Sequence, residues 1–277
     1  EDAMCQLLGM NCNVPTDICF SFSGFRKRGG VTDIHRDGWG IGFFEGNGVR
    51  VFLDPEPSAH SVLADLVRSY PIRSLNVIAH IRKATEGEIL LENTHPFMRE
   101  LWGRNWLFAH NGHLPDFRPE LGGIMTPVGT TDSEWVFCWL LERLRQRFGA
   151  APPTRDDLFN ALGELVLSFA DQGISNFLLS NGEVLIAHCS THLSYIVRKA
   201  PFGEAHLSDE DMTVDFRQLT TPSDRVAVIT SMPLTDNEAW VDMRPGTLWM
   251  FHDGEVLAQC DTLPSPYKSM ADMQQNC

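Results

Sequence analysis

Two amphipathic stretches stand back to back in the middle of this chain, and the residues on either side of them read mainly as strand. Trp135 to Phe148 follows Thr130-Thr131-Asp132-Ser133-Glu134, and Arg155 to Phe169 follows Pro152-Pro153-Thr154. Each places a capping residue ahead of apolar positions at helical spacing, so each predicts a helix. From Gly173 onward the chain predicts short strands: Asn176 to Leu179, Val184 to His188, Tyr195 to Lys199, Val226 to Thr230 and Leu248 to Phe251. Asn181-Gly182 and Asp253-Gly254 supply hairpin turns. The first third is also strand-rich. Gln6 to Gly9, Asp37 to Phe44, Val49 to Leu53 after Asn47-Gly48, Ser74 to Arg82, and Trp102 to Ala109 read as strands. Helices are expected at Ile18 to Arg28, behind Pro15-Thr16-Asp17, and at Ser61 to Tyr70, stopped by Pro71. Two strand-rich blocks with helices between them predict two antiparallel sheets covered by helix layers, an α+β chain. Nothing resembling a linker, repeat or low-complexity tract divides it. Residues 4–277 therefore read as one domain, with residues 1–3 as additions ahead of a natural start at Met4.

Composition narrows the function. A formal net charge of -14 argues against nucleic acid, whose phosphates call for a basic surface. No apolar run approaches the roughly 20 residues of a membrane-spanning helix, and the N-terminus lacks the pattern of a signal peptide. Seven dispersed cysteines, with no C-x-x-C pair, argue against a disulfide framework or zinc ribbon and for a reducing, cytoplasmic compartment. No H-E-x-x-H spacing supports a metal site, and no P-loop is present.

Four short polar stretches fall at strand ends or helix starts: Cys5, His80-Ile81-Arg82-Lys83-Ala84-Thr85, His110-Asn111-Gly112, and Thr131-Asp132-Ser133-Glu134. Each alone has an ordinary explanation. A cysteine early in a strand is usually core, Asn-Gly is a common turn and Asp132 could be a helix cap. Together they form the parts of an acyl-transfer site. Removal of Met4 would leave Cys5 with a thiol and a free α-amine, a nucleophile and base delivered together. Asn111 and the Gly112 N–H could stabilise an oxyanion, with glycine keeping side-chain bulk from the substrate. Arg82 can fork onto a carboxylate and Asp132 can accept from an ammonium. A carboxylate binder plus an ammonium binder specifies an α-amino acid, and the glutamine side-chain amide would then reach Cys5.

These stretches, with Asp37-Gly38-Trp39-Gly40 and Asn93-Thr94-His95-Pro96-Phe97, resemble in order the class-II glutamine amidotransferases, most closely the stand-alone YafJ-like type. The resemblance implies an N-terminal nucleophile hydrolase fold, a four-layer αββα sandwich. It implies hydrolysis of a γ-glutamyl amide through a Cys5 thioester, with Asn111 and Gly112 at the oxyanion. Arg82 and Thr85 would hold the α-carboxylate and Asp132 the α-amine. His80 and His110 would orient loops, His95 would be a neutral structural histidine, and Trp39 would pack under the site. No cofactor or metal is implied. The substrate would be glutamine or another γ-glutamyl small molecule, and ammonia would pass to an acceptor or to a synthase partner in trans. Stand-alone γ-glutamyl hydrolysis is an alternative, and a non-catalytic glutamine-binding module is another. Glu86 and Glu88 receive no role. While Glu1 to Met4 remain attached, Cys5 carries an amide in place of the amine. The chain is then expected to be inactive or slow, with those residues in or beside the pocket.

Overall fold

A computed structural model describes residues 5–31, 37–83 and 88–275. In order, the elements are β1 (Gln6–Asp17), α1 (Cys19–Lys27), β2 (Trp39–Glu45), β3 (Gly48–Asp54), α2 (Val62–Ser69), β4 (Arg73–Ile81), β5 (Phe97–Leu101) and β6 (Arg104–His113). Next come α3 (Asp132–Phe148), α4 (Arg155–Val166), β7 (Ile174–Ser180), β8 (Leu185–Cys189), β9 (Ser194–Lys199), β10 (Glu204–His206) and β11 (Thr213–Asp215). The chain closes with β12 (Arg225–Thr230), β13 (Val241–Asp242), β14 (Thr247–His252), β15 (Glu255–Asp261) and α5 (Met270–Gln275).

The strands form two large antiparallel sheets, ordered β13-β9-β12-β1-β4-β2-β3 and β15-β14-β8-β7-β6-β5, plus the small pair β10-β11. Three apolar layers separate four structural layers. Phe22 and Phe25 of α1 pack with Leu8, Met10, Val77 and Ala79 on one face of the first sheet. Leu7, Ile78, Leu107, Ala109 and Leu178 fill the space between the sheets. Phe137 and Leu140 of α3 and Leu162 of α4 cover Phe108 and Phe177 on the outer face of the second. The result is the αββα sandwich, an α+β fold. Among the described residues no helix is long and apolar enough to cross a membrane.

The period of two decides which residues can meet. In β1, Leu8, Met10 and Cys12 face the helices, while Leu7 faces the second sheet. Gly9 shares that inner face, and a Cβ there would sit 3.0 Å from Leu178 and Leu185. Because both faces of β1 are covered, its apolar run shows little alternation, which is why only Gln6 to Gly9 was legible as strand. Pairing with β12 ends at Cys12, and the register with β4 shifts between Asn11 and Thr16. That irregularity accommodates Pro15 inside the strand. The helix expected from Ile18 to Arg28 is present as α1, Cys19–Lys27, flanked by Ile18 and Arg28, and Asp17 Oδ1 accepts the Cys19 N–H at 2.6 Å.

The central helices start where capping chemistry puts them. Thr131 accepts the Glu134 N–H at 3.2 Å, and Thr154 accepts the Asp157 N–H at 3.2 Å. The strand expected from Trp102 starts instead at Arg104. Trp102, at φ 59°, and Gly103, at φ 72°, form the turn from β5. His110-Asn111-Gly112 lies within β6, not in a turn, because β7 pairs with all three residues.

Candidate active site

Cys5 immediately precedes β1, whose Gln6 and Leu7 pair with Ile81 and His80 of β4. The next pair along the strands brings Cys5 beside Arg82 and Lys83. The Lys83 N–H donates to Cys5 Sγ at 3.1 Å, and the thiol reaches the Lys83 carbonyl at 3.3 Å. Burial pushes the thiol pKa up to about 11; the Lys83 N–H and the Arg82 charge pull it down without offsetting burial. The thiol is therefore neutral near pH 7 and needs a base before it can attack.

Asn111 comes from the other sheet. Alternation in β6 sends Trp106, Phe108 and His110 toward α3, and Leu107, Ala109 and Asn111 toward the first sheet. Asn111 Nδ2 donates to the Cys5 carbonyl oxygen across the seam. Gly112 is next on the helix-facing side. A Cβ there would lie 1.9 Å from the Ile174 carbonyl oxygen and 2.7 Å from His110 Nε2. Glycine is required at this position by the β6–β7 packing, a reason different from clearance for substrate.

His110 joins β6 to α3. Its Nδ1 meets Ser133 Oγ at 2.8 Å and its Nε2 meets the Ile174 carbonyl at 3.2 Å. The carbonyl can only accept, so the proton lies on Nε2 and Ser133 donates to Nδ1. Asp132, the first residue of α3, accepts the Leu114 N–H at 2.6 Å and the Ser133 N–H at 2.8 Å. His113 Nδ1 is 3.5 Å away. Burial would raise the Asp132 carboxyl, but hydrogen bonding from His113 and the Leu114 N–H outweighs it. They hold the carboxyl well below the usual carboxylate range. A fixed, ionised carboxylate at a helix N-terminus is thus positioned one residue beyond the Thr131 cap.

Arg82 is buried, and its Nη1 donates to the Glu88 carbonyl at 3.0 Å. Its backbone pairs with the segment before β2: the Arg82 N–H donates to Gly38 O at 2.8 Å, and the Asp37 N–H to Arg82 O at 3.2 Å. Asp37 acts electrostatically on both Cys5 and Arg82. Its only sequence signal was membership of Asp37-Gly38-Trp39-Gly40. Trp39 packs against Phe22 of α1, with ring centroids 5.6 Å apart, on the sheet face away from Asn111. Thr85 and the residues before Cys5 lie outside the described residues.

The rings of His80 and His95 pack in a tilted arrangement with centroids 4.3 Å apart, and His95 also contacts Phe97 at 4.4 Å. Neither ring nitrogen of His95 has a hydrogen-bond partner among the described residues. Burial keeps its pKa well below the ordinary histidine value, reinforced by His80, His110 and Arg82. Gly40 makes this crossing possible, since a Cβ there would meet the His95 carbonyl at 2.1 Å. Among the described residues no three His, Cys, Asp or Glu side chains are grouped to hold a metal.

The model of the class-II glutamine amidotransferases matches residues 4–276. The chain belongs to that family. A provisionally named glutamine amidotransferase of Escherichia coli, YafJ, is 53% identical over 252 residues, covering 91% of this chain and 99% of its own. A Pseudomonas aeruginosa protein predicted to be a glutamine amidotransferase has a crystal structure with TM-score 0.73 and 46% identity, covering 91% of this chain and 99% of that one. The glutamine phosphoribosylpyrophosphate amidotransferase of B. subtilis aligns with TM-score 0.57 at 15% identity, over 92% of this chain and 49% of that one, a likeness of fold alone. The amidotransferase family and the two-sheet architecture thus agree. Of the candidate site residues, Cys5 and Arg82 lie at the ends of the neighbouring strands β1 and β4, Asn111 and Gly112 in β6 of the facing sheet, and Asp132 at the start of α3.

Proposed function

We propose that the protein, freed of residues 1–4, hydrolyses a γ-glutamyl amide through a thioester on Cys5. The Cys5 α-amine takes the thiol proton, and Sγ attacks the side-chain carbonyl carbon. The oxygen of the tetrahedral intermediate is met by Asn111 Nδ2 and the Gly112 N–H. Collapse breaks the C–N bond, and ammonia leaves with the proton returned from the amine. Water then cleaves the thioester, giving glutamate and the free thiol. Arg82, with Thr85, takes the α-carboxylate, and Asp132 takes the α-amine. The observation that carries this reading is the hydrogen bond from Asn111 to the Cys5 carbonyl across the two sheets. The buried, neutral thiol adds to it, since such a group calls for an adjacent base.

Ammonia passes to an acceptor, held by a synthase partner in trans, or is released to solution when the protein acts alone as a γ-glutamyl hydrolase. Residues 4–277 form one domain, which acts once Met4 is removed, in a reducing, cytoplasmic setting. The deciding experiment compares protein beginning at Cys5 with protein retaining residues 1–4, by ammonia release from glutamine and from γ-glutamyl peptides. The processed form should turn over, the extended form should be slow or silent, and processed Cys5→Ala should be inactive. Equal activity in the extended form, with intact mass verified, refutes the amine as base.

A further inference from the structure

Asn93 carries no role in the reaction just described, yet it is fully buried between the two segments assigned to substrate binding. Its Nδ2 donates to the Glu88 carbonyl at 3.1 Å and to Thr130 Oγ1 at 3.2 Å. Its Oδ1 accepts the Thr130 N–H at 2.9 Å. Glu88 O is the same oxygen that receives Arg82 Nη1 at 3.0 Å. Thr130 precedes the Thr131 cap and Asp132. One amide therefore spans from the anchor of Arg82 to the start of α3.

The loop on the far side is pressed onto this amide. A Cβ at Gly129 would lie 2.3 Å from Asn93 Oδ1 and 2.7 Å from the Glu92 carbonyl. Glu134 fixes the same loop from within α3, accepting the Val128 N–H at 3.0 Å and the Gly129 N–H at 2.7 Å. A hydrogen-bonded amide with both donors used and little room around it is a rigid spacer.

We propose that Asn93 is a positioning residue that sets the spacing between Arg82 and Asp132, and so makes the site select substrates bearing a free α-amine and a free α-carboxylate together. This rests on the function proposed above. Asn93 touches neither Cys5 nor Asn111 through any bond seen here, so its loss should act on recognition before chemistry. A fork that holds two poles at fixed separation discriminates against ligands lacking either pole. A loosened fork binds the bipolar ligand less well and loses that preference.

The test uses processed protein and three amides: glutamine, glutaramic acid, which lacks the α-amine, and 4-aminobutanamide, which lacks the α-carboxylate. In Asn93→Ala the KM for glutamine should rise about tenfold, with kcat within about threefold, as expected for loss of one buried hydrogen-bonded link. The preference for glutamine over both analogues, in kcat/KM, should fall by a similar factor. Thr130→Val removes only the hydroxyl acceptor and should move selectivity the same way by roughly threefold. It decides the question if Asn93→Ala does not fold. Equal losses on all three amides, or a fall in kcat at unchanged KM, overturn the role of Asn93, as does unchanged selectivity in a folded variant. Processed wild-type protein that releases no ammonia from any γ-glutamyl amide refutes the proposed function itself. Active wild type with unaltered selectivity in the variants refutes only the spacer.

Discussion

Gly112→Ala separates two accounts of the same glycine. If Gly112 is there to leave room for substrate, an added methyl should raise KM and leave the fold alone. The structure points the added carbon the other way, 1.9 Å from the Ile174 carbonyl oxygen and 2.6 Å from its carbon. A tolerable contact begins near 3.0 Å, so the two atoms must separate by at least 1.1 Å, the difference between 3.0 and 1.9 Å. Neither is on a flexible tip. Gly112 pairs with Ser175, so β6 and β7 must part or bend, and the His110 Nε2 to Ile174 O bond at 3.2 Å is lost. Overpacking costs about 1–3 kcal/mol and a broken buried hydrogen bond about 1–3 more, so roughly 2–6 kcal/mol of stability should disappear. At about 2–4 °C per kcal/mol for a chain approaching this size, the melting temperature should fall by roughly 5–20 °C. The same movement shifts Asn111, and an ångström of misplacement costs about a hundredfold in rate. Calorimetry and ammonia release on processed protein measure both effects. A melting temperature within about 2 °C of wild type, with KM alone raised, would refute the packing argument.

Asp132→Asn should raise the KM for glutamine by roughly 10- to 100-fold through loss of a charge-assisted contact, with a smaller effect on kcat; steady-state kinetics with an equal rise for glutaramic acid would show that Asp132 does not receive the amine. Asn111→Ala should lower kcat by about 10²–10³ with little change in KM, as removal of an oxyanion donor does; retention of kcat in a folded variant counts against the oxyanion assignment. Burial lowers the His188 pKa to about 4, while its Nδ1 bonds Ser175 O at 2.7 Å. The unfolded chain then takes up the proton first as pH falls from about 6.5, so stability should decline toward pH 4 by about 3 kcal/mol. Urea unfolding across that range should show the slope, and His188→Gln should flatten it; an unaltered slope assigns the acid sensitivity elsewhere.

What could be read from the residues was what local chemistry decides. Thr131 and Thr154 cap α3 and α4 through bonds three residues long, so those helix starts were visible. Asp253-Gly254 forms its turn with both residues at positive φ, as the dipeptide predicts. The two edge strands of the second sheet were missed. In β5 only Phe97 and Leu101 are buried, and β15 lies largely exposed, so neither shows a clear apolar pattern. The candidate site residues were legible as kinds of chemistry, but their geometry was not. Asn111-Gly112 has the composition of a turn, and only pairing with β7, more than sixty residues later, keeps it extended. Glu88 looked like an unexplained acid, yet its backbone carbonyl is what receives Arg82 and Asn93. Such a contact leaves no trace in residue identity.

The layered fold also explains why the candidate site is sensitive to residues that never touch substrate. Cys5 and Arg82 belong to one sheet, Asn111 and Gly112 to the other, and Asp132 to a helix outside the second. The separation of Cys5 from Asn111 is therefore set by the packing between the sheets. Leu7 and Ala109 lie two residues from Cys5 and Asn111 along the same strand faces, and both are buried in the middle layer. Packed sheets normally stand about 10 Å apart, too far for a short cysteine backbone and an asparagine amide to meet unless the seam narrows. Small residues narrow it: Gly9 admits Leu178 and Leu185, Gly40 admits the His95 carbonyl, and Ala109 stands beside Asn111. The glycines in otherwise apolar strands are thus part of the site's geometry as well as of the fold. A larger side chain at one of these inner positions would move the facing groups apart before it unfolded the protein. Activity should accordingly be lost ahead of stability along this seam, and the reverse order should hold in the helix-facing layers, where Phe22 and Phe137 pack.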